Sequence, residues 1–167
     1  SPYKNHPRML RAFVAAMGTR SDHKLVLVRR FSRVDSEMTE LLSRPEVQRL
    51  VVTIPHVTDE VLFTLYAHAQ MLLFASLYEG FGLPAVEAMG FGLPVLASTA
   101  EAVREVTGDA ALHADPYSHD DLVAKIRSLD SDAALRARLV EAGLRRAREF
   151  SWERAARATL DVYREAA

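Results

Sequence analysis

Cysteine is absent from the 167 residues, which removes disulfide scaffolds, thiolate zinc sites and thiol nucleophiles. A reducing compartment is permitted by this, not required. Charge of one sign is also missing: 21 basic against 22 acidic side chains leave a formal net charge of −1. Residues 1–100 carry ten basic and nine acidic groups and residues 101–167 eleven and thirteen, so a generic nucleic-acid binder is not expected. No stretch approaches the ~18 apolar residues of a membrane span. The start Ser1-Pro2-Tyr3-Lys4-Asn5-His6 has neither the basic region nor the apolar core of a signal peptide, and the chain reads as soluble. No linker rich in Pro, Gly or Ser divides it. What remains is 49% apolar and 26% charged residues, the balance of one ordinary domain. At this length a chain buries roughly 70% of its unfolded surface and needs no covalent staple.

The apolar pattern alternates between two periods. Met9, Leu10, Phe13, Val14 and Met17 share one helical face, with Asn5 as N-cap and Gly18 as stop. Leu25 to Val28 reads as a strand buried on both faces, Ser36 to Ser43 as a helix and Val51 to Ile54 as a second strand. Thr58 is placed to cap a helix whose first turn holds Asp59 and Glu60, with Val61, Leu62, Leu65 and Tyr66 facing inward. Strands are expected at Met71 to Ala75, Pro94 to Ala97 and Ala111 to Ala114, then helices from Ser118 and Ala133 and a last one capped by Ser151. Such alternation predicts an α/β fold, a doubly wound parallel sheet with helices on both sides.

Four of the seven glycines fall in a pentapeptide, Gly-Phe-Gly-Leu-Pro, that occurs at 80–84 and again at 90–94. The first copy lies between a strand and an Ala-rich helix, with Pro84 suited to the first turn. There it can present backbone N–H groups to an anion at a positive helix end. The second lies where that helix must stop, and is expected to be structural. Glu79 immediately precedes the first copy and Glu87 follows within the helix. Eight helical residues span about 12 Å, so the two carboxylates cannot act as a closely spaced pair. At the carboxyl ends of parallel strands each could accept from the hydroxyls of a polyhydroxylated ligand, a ribose diol among them. A plainer reading stands beside this one, in which Glu87 is a surface helix residue and Glu79 caps the helix start.

The run from Ser76 to Met89, SLYEGFGLPAVEAM, closely resembles the signature of the family-four retaining glycosyltransferases of the GT-B fold. The resemblance extends to His56–Leu62 upstream, and downstream to Pro94–Ser98, Arg104–Leu112 and Phe150–Glu153. It thus covers essentially residues 1–167, which it implies are the Rossmann-like, nucleotide-sugar-binding C-terminal half of such an enzyme. The function implied is transfer of a hexose, mannose among the candidates, from a nucleoside-diphosphate sugar to an acceptor hydroxyl. By the same resemblance Glu79 lies beside the donor sugar, Glu87 binds the ribose, and the backbone of Gly80, Phe81, Gly82 and Leu83 holds sugar hydroxyls and diphosphate. Lys4 neutralises the leaving diphosphate, and the turn at Val57 borders the nucleobase. No metal or other cofactor is implied.

The family's first strand and the arginine after it would lie before Ser1, as would the acceptor domain that receives a saccharide or lipid-linked acceptor. The isolated chain is accordingly expected to transfer little. Where the family often has glycines, this sequence has Arg29-Arg30 and Thr99-Ala100-Glu101, so Arg29 or Arg30 is a further candidate for contact with the donor. A cytoplasmic enzyme is implied, compatible with work at the inner face of a membrane.

Other signals carry less. Asp130-Ser131-Asp132 has the form of a metal-binding Asp-x-Asp, but joins two amphipathic helices, where capping explains it. His113, Asp115 and His119 have no rigid spacing for a metal. His56 and His68 flank the helix from Thr58, where one reads as a satisfied polar residue rather than a base, and no Gly-x-Ser-x-Gly nucleophile motif is present. Residues 136–165 carry eight arginines and five acids around Trp152, Ala156, Leu160 and Tyr163. A solvated arginine face over a packed apolar stripe is preferred there to peripheral membrane contact. The alternative to an enzyme is a non-catalytic Rossmann-like module for a nucleotide or another phosphate ligand.

Overall fold

The computed structural model describes residues 2–18, 22–28 and 36–166, so Arg29 and Arg30 lie outside the described residues. A 3₁₀ turn at Pro2–Lys4 leads into α1 (His6–Met17), β1 (Leu25–Val28), α2 (Ser36–Ser43), α3 (Pro45–Leu50), β2 (Val51–Ile54), α4 (Asp59–His68) and β3 (Leu72–Phe74). Then come α5 (Leu83–Gly90), β4 (Val95–Ser98), α6 (Glu101–Thr107), a 3₁₀ turn at Gly108–Ala110, β5 (Leu112–Ala114), α7 (His119–Ser131), α8 (Ala133–Ala147) and α9 (Trp152–Glu165). The six-residue α3 escapes periodicity because it is too short to show a repeat. Pro45, which suits the first turn of a helix, reads equally well as a break.

Every strand pairing is parallel, as expected of strands joined through helices. Val28 pairs with Ile54 at the end of one ladder; in the other, Leu72 pairs with Val95 and Leu96 with Leu112. β4 is buried throughout because its faces serve two cores. Leu96 joins α1, α2, α3 and α7 on one side, while Val95 and Ala97 join α5 and α6 on the other. The doubly wound arrangement is therefore present, with α8 packed over α5.

The ladder is interrupted, however, into a sheet of β1 and β2 and a sheet of β3, β4 and β5. Between them the edges of β1 and β3, unpaired among the described residues, face a cleft of about 900 Å³, also lined by Met9, Phe13 and Met17 of α1 and Leu62 and Leu65 of α4. This corrects the expectation for β1. Leu27 is buried, but Val26 and Val28 are exposed, as is Val52, the register partner of Val26. One face of the pair packs on the core while the other stays open.

Helix starts follow their side chains. Thr58, Ser118, Asp132 and Ser151 accept from the N–H of Val61, Asp121, Leu135 and Arg154, caps worth about 1 kcal/mol each. Asn5 precedes α1 as expected but does not cap it. Its left-handed backbone, φ +56°, turns the amide away to donate to the carbonyls of Ala75 at 3.0 Å and Pro116 at 2.8 Å. Two other expectations fail on the surface. Val61 is exposed, since only Tyr66 of α4 is fully buried. The apolar stripe of α9 is not packed: the helix has no buried residue, and Trp152 is 81% exposed.

Candidate functional site

The carboxyl end of β3 is where distant parts of the chain converge. Leu77 N–H donates to the Tyr3 carbonyl at 2.7 Å, and the Asn5 amide ties the same region to Ala75. These bonds hold the Pro2–Lys4 turn against the exit of β3. Lys4 Nζ consequently reaches Glu79 Oε1 at 2.7 Å, with the two side chains 30% and 11% exposed. The ammonium also lies 5.6 Å from the Phe74 ring centroid and 5.4 Å from that of Tyr3, within range of the ring quadrupoles. Two residues 75 positions apart, both singled out from sequence, are thereby brought into contact.

The Gly-rich turn follows directly. Gly82 adopts φ +101° and precedes the first turn of α5, with Pro84 as its second residue. A β-carbon on Gly82 would point inward, 3.4 Å from Phe74 Cε1, whereas one on Gly80 would meet nothing within 4 Å. Conformation and packing explain Gly82; Gly80 is the glycine that leaves space on the outer side. Ala85 N–H already bonds to Gly82 O at 2.9 Å and Pro84 has no N–H. Among the N–H groups from Gly80 to Ala85, those of Gly80, Phe81, Gly82 and Leu83 are left to offer a ligand, the last two nearest the positive end of the α5 dipole. The Phe81 ring packs edge-on against Phe150, centroids 5.4 Å apart, with the Arg146 guanidinium stacked on the far partner.

The second pentapeptide terminates α5 as expected. Phe91, Gly92 and Leu93 return their N–H groups to carbonyls of the last turn, and Gly92 takes φ +70°. This copy faces Val140 and Leu144 of α8.

Glu87, one face up α5, is half-buried and accepts from the Tyr66 hydroxyl at 3.1 Å. Burial, then the neighbouring carboxylate charge and this hydrogen bond, push the Tyr66 phenol well above the usual tyrosine range, so it stays a donor. Val57 sits in the connection between β2 and α4, half-buried, and shares no hydrogen bond with Glu79 or Glu87 among the described residues. Tyr66 and Asn5 escaped the sequence reading as site residues. A tyrosine on an inward helix face does carry a signal, because its hydroxyl needs a partner when buried.

Several of the other polar candidates are engaged elsewhere. Asp132 caps α8, and Asp130 Oδ1 lies 2.8 Å from His23 Nε2. Thr107 Oγ1 donates to Val103 O, and a hydroxyl has one proton, so at 2.9 Å His113 Nε2–H must donate to Thr107. Asp115 accepts from Tyr117 N–H, and His68 Nδ1 meets the Thr64 carbonyl.

The parallel α/β unit, with Lys4, the Gly-rich helix start and Glu79 gathered at the exit of β3 and Glu87 farther along α5, has the arrangement that the resemblance to GT-B glycosyltransferases implies. Comparison with known proteins agrees: the chain belongs to the family described as glycosyl transferases group 1, which it matches over residues 1–146. It is 36% identical over 164 residues to the O-antigen chain mannosyltransferase B of Escherichia coli, covering 98% of this chain and 43% of that protein. It is 39% identical over 170 residues to an MMP alpha-(1->4)-mannosyltransferase of Mycolicibacterium hassiacum, covering 99% and 41%. The chain thus spans less than half the length of these curated relatives. Among solved structures, sucrose-phosphate synthase of Thermosynechococcus elongatus superposes with a TM-score of 0.83 at 26% identity, over 99% of this chain and 43% of that one. The C-terminal domain of a group 1 glycosyl transferase from Francisella tularensis gives 0.79 at 22% identity, over 89% and 80%, a likeness of fold. Among the described residues no helix is long and apolar enough to cross a membrane.

Proposed function

We propose that this chain is the donor-binding half of a retaining hexosyltransferase that uses a nucleoside-diphosphate sugar. The observation that carries the reading is the Lys4 to Glu79 contact of 2.7 Å at the foot of the Gly-rich turn. It sets one cation and one carboxylate beside the Gly-rich turn that opens α5. In this reading the diphosphate lies against the Gly82 and Leu83 N–H groups, and Lys4 stabilises the charge that develops as the glycosidic bond breaks. Because these groups balance the diphosphate, no metal is required. Gly80 and the Phe81 backbone border the sugar, Glu79 positions it, and Glu87 accepts from the ribose. Val57 borders the base. Glu79 is engaged by Lys4 and is assigned positioning, not nucleophilic attack. Retention then follows from same-face collapse of a short-lived ion pair assisted by the departing diphosphate.

The mannosyltransferases among the relatives support mannose as the hexose; a saccharide or lipid-linked hydroxyl is the acceptor in this reading. The acceptor site belongs to a separate domain of a longer protein. We further infer that the cleft between β1 and β3 takes a parallel strand preceding Ser1. Its two edges lack partners among the described residues, and the Tyr3 to Leu77 bond holds the start of the chain at the exit of β3, where such a strand would end.

The test is calorimetric titration of the full-length protein with UDP, GDP and their sugars, with and without chelator, followed by transfer assays with NMR of the product anomer. Saturable binding that survives chelator, with retained configuration, supports the reading. Binding that vanishes with chelator, or an inverted product, overturns it. Binding without transfer would favour the non-catalytic module.

A further inference from the structure

Glu79 and Glu87 differ in how their charges are met. Glu79 is paired with an ammonium, whereas Glu87 has no Lys, Arg or His partner among the described residues and receives only the Tyr66 hydroxyl. A half-buried carboxylate satisfied by one neutral donor keeps most of its acceptor capacity, since four lone-pair directions are available and one is used. Tyr66 is itself 7% exposed. Its ring is clamped against Phe91, centroids 5.9 Å apart, and Phe91 in turn packs on Phe63 at 5.2 Å. Phe91 belongs to the turn that ends α5, the helix that carries Glu87. The donor and the acceptor are therefore held by the same rigid corner.

A phenol facing a carboxylate can only donate to it. The bond to Oε2 fixes rotation of the carboxylate plane and leaves the Oε1 side for another pair of donors. A vicinal diol supplies two such donors. We propose that Tyr66 is a positioning residue for diol recognition: by donating to Glu87 Oε2 it orients the carboxylate toward the ribose hydroxyls, and so sets preference for ribonucleotides over 2′-deoxyribonucleotides. This rests on the assignment of Glu87 to the ribose and extends it to a residue on a different helix.

The full-length protein, with Tyr66→Phe, Glu87→Gln and the double variant, is titrated with UDP, GDP and their 2′-deoxy forms. Tyr66→Phe keeps the ring and its packing on Phe91, so the fold is retained and the melting temperature moves little. Loss of one orienting hydrogen bond is expected to weaken ribonucleotide binding roughly three- to tenfold. Binding of the 2′-deoxy forms should change less than about twofold, because one of the two diol donors is already missing. In the Glu87→Gln background the second substitution should have no further effect. If Tyr66→Phe weakens both nucleotide classes equally, its role is packing and the proposal falls. It also falls if Glu87→Gln abolishes the ribose preference while Tyr66→Phe leaves it intact. Should Glu87→Gln itself leave the preference untouched, the ribose assignment is wrong, and the proposal goes with it by a visibly different route.

Discussion

Replacing Gly80 by alanine separates ligand contact from folding at the Gly-rich turn. A β-carbon at this position meets no atom within 4 Å and the residue has no positive φ, so the substitution should be nearly neutral to stability, within about 0.5 kcal/mol. Gly82 behaves differently. With φ +101° it lies in the left-handed region, where a side chain costs roughly 1–2 kcal/mol, while its contact with Phe74 at 3.4 Å adds little. For a domain of this size that corresponds to a fall in melting temperature of about 2–8 °C. Gly92, at φ +70° and facing α8, should lose a similar amount and serves as the control for strain away from the ligand. Donor affinity should sort the three in another order. The open side of Gly80 is where the sugar is proposed to pass, so a methyl group there is expected to reduce binding tenfold or more, about 1.4 kcal/mol. Gly92→Ala should leave affinity intact once the protein is folded. Scanning calorimetry and nucleotide-sugar titration on the three variants decide the matter. Unchanged donor affinity in Gly80→Ala, with an unchanged melting temperature, would refute the placement of the donor beside this turn.

The other expectations are more compact. Glu87→Gln should lower affinity for free nucleoside diphosphate by about 1.5–3 kcal/mol, whereas Glu79→Gln should spare it and reduce turnover; parallel nucleotide affinities and rates check this division. Lys4→Met is expected to slow transfer by roughly two orders of magnitude, read from single-turnover rates, because it removes a charge aimed at the leaving group. Burial, with the Arg104 charge second, holds the His113 imidazole below its ordinary value of 6.5. The unfolded chain therefore takes up the proton first, and stability that is full above about pH 6.5 should decline as pH falls through that value toward the lower folded pKa. Denaturant melts between pH 7.5 and 5 should show this decline, reduced in His113→Gln. Finally, extending the chain with the residues encoded before Ser1 should slow amide exchange along β1 and β3; equal exchange in both forms would argue against a strand in the cleft.

How much was legible in the linear sequence varies with the range of the interaction. The alternation of apolar runs was enough for five strands, their parallel pairing and most helices, because burial on a strand or a helix face is written with a local period. Thr58, Asp132 and Ser151 cap as read, and Ser118, read only as the start of a helix, caps as well, since capping is settled within three residues. The two copies of Gly-Phe-Gly-Leu-Pro were separable by what surrounds them, and the second ends its helix as expected. The run from Ser76 to Met89 pointed to the family that the comparison confirms.

Tertiary structure decided what depends on partners far along the chain. Asn5 looked like a cap, yet its amide is taken by Ala75 and Pro116, carbonyls 70 and 111 positions away. Val26 and the stripe of α9 have the composition of buried surface but lie exposed, because periodicity states which face is apolar and not whether another element covers it. The contact of Lys4 with Glu79 follows from hydrogen bonds that hold the first turn at the exit of β3. Tyr66 reads as one more apolar position of α4, and only the packing of that helix against α5 shows that its hydroxyl ends on Glu87. Local periodicity fixes the elements through short-range sterics and burial, whereas a hydrogen bond across many residues exists only once the chain has closed around it.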